Sequence, residues 1–137
     1  VSLFINKYRY SKNMAKPIGP YSAILQAGEW FITSGQIGLH DGELVSGGLE
    51  VELAQIFQNL KALLAVEGLT LQNIVKTTVF LVDINDYQLM NTIYMQEFGS
   101  HRPTRSAVAV AALPLGAVVE IEAWARMEID DQTVSNA

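Results

Sequence analysis

The chain predicts an α+β fold: a mixed sheet of about six strands with two helices packed on one face. Three observations carry this. Two stretches place apolar residues three and four apart, the runs between them are short and dense in β-branched residues, and one helix lies between two strands in an order that makes a crossover unit. With 137 residues, a single domain over 1–137 is the simplest organisation, with 1–15 as an N-terminal extension and 128–137 as a polar tail.

The stretch KPIGPYSAILQAGEWFITSGQIGL begins with a turn at Pro17, Gly19 and Pro20. Two β-rich runs follow, divided at Gly28 and Glu29, and read as a hairpin. Asp41-Gly42 supplies a tight bend. Leu53, Ile56, Phe57, Leu60, Leu63 and Leu64 form the stripe of an amphipathic helix, with Glu52, Gln55, Asn59 and Lys61 off the stripe, and Gly68 stops the helix with a left-handed residue. Residues 74–82 (IVKTTVFLV) make a strand, and with the preceding strand and helix they complete a βαβ unit. A second helix takes Asn85 or Asp86 as N-cap, a stripe through Tyr87, Met90, Tyr94 and Phe98, and Gly99 as its end. Strands over 105–112 and 118–127, joined at Pro114 to Gly116, finish the sheet.

Half of the residues are hydrophobic and only 17% are charged, below the roughly 25% of soluble domains. That deficit implies surface hidden from water. No wholly apolar run approaches the ~20 residues that span a bilayer, so contact between copies of the chain, not lipid, is the expected cover. The strand over 74–82 is apolar on both alternating faces apart from Lys76 and the threonines, which suits a sheet held between its helices and a neighbouring subunit in a closed ring. The net charge is −5, and the basic residues Lys7, Arg9, Lys12 and Lys16 all precede an acidic body, which argues against nucleic-acid binding. There is no cysteine, and His40 and His101 stand far apart without ligands at helical spacing, so no metal site is expected. The adjacent pair Ser100 and His101 has the types of a hydrolytic dyad but not the spacing, because neighbours in a chain rarely face each other.

The run HRPTRSAVAVAAL raises a chemical question, because a guanidinium is always charged and costly to bury without an anion. Strand periodicity puts Arg105 on a face with Ala107, Ala109 and Ala111, which would floor the cation with methyl groups and leave room for a small guest carboxylate. An acid of the same protein would serve equally as partner. On the last strand Glu120, Glu122, Trp124 and Arg126 share a face; shielding would raise the pKa of one carboxyl and fit it for proton transfer, and spacing leaves open which.

The strings KPIGPYS, FITSGQIG, GELV, QNLKALLAVEGL, IVKTTVFLVDINDY, MNTIY, RPTRSAVAVAALP and VEIEA, in this order from about Lys16 to Arg126, resemble the RidA/YjgF family of imine deaminases. The resemblance implies a chorismate-mutase-like fold in a cytoplasmic homotrimer with its sheets facing inward, sites between subunits, and no cofactor or metal. It implies hydrolysis of reactive 2-imino acids, such as 2-iminobutanoate and 2-iminopropanoate, to 2-keto acids and ammonia. Arg105 would then clamp the substrate carboxylate with help from the backbone N–H of Ala107, Glu120 would hold the attacking water and shuttle protons, and Tyr21, Ser34, Gly35 and Asn91 would complete the pocket. Ala107 stands where relatives often carry Cys, the turn in GLHDGELV is shorter, and Ala109 and Ala112 replace frequently charged positions. Two other functions remain open at this point: an endoribonuclease or translation inhibitor, as ascribed to some members, and a ligand-binding trimer without turnover.

Overall fold

A computed structural model of the protein describes residues 16–128, so the N-terminal extension and nearly all of the polar tail lie outside the described residues. The first hairpin forms as the sequence dictates: β1 (Ile24–Ala27) pairs antiparallel with β2 (Trp30–Thr33) across Gly28, whose positive φ suits the tight turn. Asp41 and Gly42 both take positive φ and turn β3 (Leu39–His40) directly into β4 (Glu43–Leu44). Next come α1 (Leu49–Val66), β5 (Ile74–Leu81), α2 (Tyr87–Phe98), β6 (Thr104–Ala109) and β7 (Val119–Arg126). Gly68 and Gly99, both with positive φ, follow the two helix ends.

The main sheet holds five strands in the order β1-β2-β7-β5-β6, and β3 with β4 makes a separate two-stranded ribbon. The expected six-stranded sheet is therefore corrected. Each ribbon strand spans two residues, and Leu39 packs with Ile37 and Ala117 in a small cluster distinct from the main core. The strand expected over 105–112 is also shorter, ending at Ala109, although the Val110 N–H still reaches the Leu81 carbonyl. β2 and β5 both run antiparallel to β7 and are thus parallel to each other, which confirms the βαβ unit with β7 inserted between its strands. A second unit, β5-α2-β6, places its parallel strands side by side.

One face of the sheet carries Phe31, Val79, Leu81, Val119, Ile121, Ala123 and Ala125, packed with Leu53, Ile56, Phe57 and Leu60 of α1 and with Met90 and Phe98 of α2. The rings of Phe57, Tyr94 and Phe98 meet between the two helices, with centroids 4.6–6.1 Å apart. The other face has no helical cover. It presents the alternate side chains, among them Leu25, Val108 and Trp124, each more than 40% exposed.

Glu52 and Asn59, placed off the stripe by periodicity, are buried. Asn59 donates to the Leu39 carbonyl at 3.0 Å and accepts from Gln55 at 2.9 Å. Glu52 accepts the Val118 N–H at 2.9 Å, tying α1 to the start of β7. The second helix also differs: Asp86 makes no side-chain cap, and Asp83 instead accepts the Asn85 N–H at 2.9 Å to cap a 3-10 turn over Ile84–Asp86.

Burial raises the Glu52 carboxyl above the usual range, and the N–H groups of Val118 and Val119 oppose the shift. A carboxyl raised in the folded state favours folding while protonated and loses that contribution as pH climbs through its folded value. Urea midpoints measured between about pH 4 and 7 should therefore fall for wild type relative to Glu52→Gln, and identical profiles would refute the desolvation. Glu52→Ala, which leaves the Val118 N–H without its partner, should cost about 1–3 kcal/mol by the same measurement.

Candidate functional site

β6 is an edge strand, so one side of its backbone has no neighbour in the sheet. The Val110 N–H points to β5, and alternation along a parallel strand turns the N–H groups of Arg105, Ala107 and Ala109 away from β5, to the open edge. The side chains of Arg105 and Ala107 lean to the helical face, where Ala107 packs against the core. Methyl groups do not floor Arg105. Its guanidinium carbon stands 4.8 Å from the Tyr94 ring centroid and 5.6 Å from that of Tyr87, one terminal nitrogen donates to the Tyr87 hydroxyl at 3.2 Å, and the other lies 3.7 Å from the Met90 sulfur. Arg105 pairs with a helix because Tyr87, Met90 and Tyr94, read from the sequence as core stripe, reach the sheet edge at the same level.

No carboxylate of the described residues forms an ion pair with Arg105. The internal acid that strand periodicity left open is therefore not found among them. Asn91 lies one helical turn from both Tyr87 and Tyr94, and its side-chain oxygen is shielded from solvent without a hydrogen-bond partner. The structure thus places Arg105 and Ala107 together on the β6 edge, with Asn91 on the helix whose Tyr87, Met90 and Tyr94 meet that arginine.

The other expected residues gather elsewhere. Tyr21, Ser34 and Gly35 line a narrow cleft with Lys16, Pro17 and Gln36. Glu120 joins them from β7: a Cβ placed on Gly35 would lie 2.7 Å from the Glu120 carboxyl carbon, so only glycine lets the carboxylate settle there. The Ser34 hydroxyl is already engaged, donating to the Ala23 carbonyl at 3.4 Å and accepting from Gln36 at 3.1 Å. Gln36, missed in the sequence, also pairs its backbone with Ile121 beside Glu120.

Glu120 and Arg105 belong to opposite faces of the sheet. Glu120 is in register with Phe80, and Phe80 with Val108, so the Cα atoms of Glu120 and Arg105 are two strands and three residues apart, roughly 14 Å. Their side chains diverge from there. Burial raises the Glu120 carboxyl above the ordinary range, and the nearby Glu122 charge pushes the same way.

Two helices on one face of a mixed five-stranded sheet, with a basic edge and a shielded carboxylate, define an α+β protein of the L-PSP/Rid type. The chain belongs to the RidA/YjgF family, and the family model described as Endoribonuclease L-PSP matches residues 11–127. It is 47% identical over 110 residues to the human 2-iminobutanoate/2-iminopropanoate deaminase, covering 79% of this chain and 80% of that protein. It is 40% identical over 121 residues to a RutC family protein of Pyrococcus horikoshii, covering 87% and 96%. The crystal structure of RidA from the Antarctic bacterium Psychrobacter superposes with a TM-score of 0.82 at 33% identity, covering 86% and 97%.

An NMR pH titration of the glutamate carboxyl carbons should place Glu120 above the ordinary glutamate range. Glu122→Gln should lower it but leave it elevated, because burial is the larger cause. Complete return to the ordinary value would identify charge repulsion as the whole effect.

Proposed function

We propose that the protein is an imine deaminase that hydrolyses 2-imino acids such as 2-iminobutanoate and 2-iminopropanoate to 2-keto acids and ammonia, in a cytoplasmic homotrimer of chorismate-mutase-like architecture. The observation that carries this reading is a guanidinium without an anionic partner among the described residues, beside outward-facing backbone N–H groups of an edge strand. A substrate carboxylate answers that charge with a bidentate contact to Arg105 and accepts the Ala107 N–H. The deaminase names of similar proteins support the same chemistry.

In this reading the substrate reacts as its protonated iminium form. The water oxygen bonds to the electrophilic iminium carbon as the C=N π pair moves to nitrogen, and the water passes a proton to the Glu120 carboxylate, giving a neutral carbinolamine. Glu120 returns the proton to the nitrogen, the hydroxyl proton then leaves to the carboxylate, the C–N bond breaks, and ammonia departs as the carbonyl forms. A raised carboxyl pKa suits a group that must both take and give a proton near neutrality. The residues of Arg105 and Glu120 are too far apart, and too differently directed, for a small imino acid to meet both in one chain. A site shared between copies resolves this: one copy brings Arg105, Ala107 and Asn91, and the next brings Glu120, Gly35, Tyr21 and Ser34. The uncovered apolar face supplies surface for the contact.

The direct test is release of 2-oxobutanoate and ammonia from freshly generated 2-iminobutanoate; no acceleration over buffer by a folded oligomer would overturn the reading. Glu120→Gln should reduce kcat by about 10²–10⁴-fold while 2-oxobutanoate still binds, and Arg105→Ala should lose that binding. Trimers assembled from equal amounts of Arg105→Ala and Glu120→Gln chains should regain up to about a quarter of wild-type activity, because one interface in four pairs the two intact residues. Mixed trimers as inactive as either parent would exclude a shared site.

A further inference from the structure

We propose that Tyr94 and Thr77 are positioning residues for the anion clamp: they hold the Arg105 guanidinium in one orientation, with its free donors turned to the β6 edge. The inference rests on the reading of Arg105 as the carboxylate ligand. An arginine side chain is long and rich in rotamers, and a bidentate contact needs its planar fork set in advance. No carboxylate of the described residues does this for Arg105. The face of Tyr94 does, with the guanidinium carbon 4.8 Å from its ring centroid, nearer than the Tyr87 ring at 5.6 Å.

The Tyr94 ring is itself fixed. Its hydroxyl shares a 2.7 Å hydrogen bond with the Thr77 hydroxyl, and its ring packs against Phe98 and Phe57. Thr77 is completely buried, on a stretch of β5 that otherwise gives this face apolar side chains, and Tyr94 is the hydrogen-bond partner of its hydroxyl. Thr77 is also the register partner of Arg105 on β6. The strand pair that carries the base of the arginine therefore also anchors the platform under its head. Of the five N–H donors of a guanidinium, one is taken by Tyr87 and one points at Met90, which leaves three for an incoming anion.

The test combines a substrate-free signal with kinetics. In wild type the Nε–Hε NMR resonance of Arg105, assigned through Arg105→Lys, should be sharp and shifted by the Tyr94 ring current. Tyr94→Leu should move and broaden it, weaken 2-oxobutanoate binding and raise KM by about tenfold, and change kcat by less than about twofold. Thr77→Val and Tyr94→Phe, which break the same bond and nearly preserve shape, should each raise KM by about threefold, and their combination no further than either alone. An Arg105 signal and KM unchanged in folded Tyr94→Leu would overturn the inference. If that variant does not fold, an unchanged signal in both Thr77→Val and Tyr94→Phe overturns it equally. A wild type that shows the shifted signal but neither binds 2-oxobutanoate nor hydrolyses imines would sink the deaminase reading and leave the platform standing.

Discussion

Side chains of a β-strand alternate between the faces of its sheet, and this alternation organises the whole molecule. It assigns Val119, Ile121 and Ala123 to the core and Glu120 and Glu122 to the uncovered face. On the edge strand it assigns Arg105 to the helical side. Arg105 and Glu120 thereby stand on opposite faces of the sheet. The proposed deamination uses both, and for that reason it is assigned to a site shared between copies of the chain.

The two halves use different physics. At the β6 edge the cation is kept charged and accessible on polarisable surfaces, with tyrosine faces and a thioether that attract it without neutralising it. In the cleft the carboxylate is pressed against backbone at Gly35 and partly deprived of water, which favours its neutral form. One group keeps its charge beside aromatic faces, and the other has its charged form disfavoured by burial.

Much of this could be read in the sequence because local rules agreed with the fold. Gly28, Asp41-Gly42, Gly68 and Gly99 stand at turns or helix ends with positive φ, and the helical stripes mark the faces that meet the sheet. Period two correctly grouped Arg105 with Ala107 and Glu120 with Glu122. It could not say which layer each group would face, since that depends on where the helices settle. Hence Arg105 was expected over alanines and lies instead on Tyr87 and Tyr94, which look like any aromatic stripe until β6 is placed beside them. Glu52 was misread for a related reason: a buried carboxylate is legible only when its partner is known, and the Val118 N–H lies 66 positions away in the chain. The strand count failed where strands were two residues long, too short for any period to register.

Gly35 performs no chemistry of its own, yet the Glu120 carboxylate occupies the space where a side chain at that position would begin. Every amino acid reachable from a glycine codon by one base change brings a Cβ. Any of them would make the Glu120 carboxylate move, so the place that carboxylate occupies is set by a neighbour that contributes only empty space.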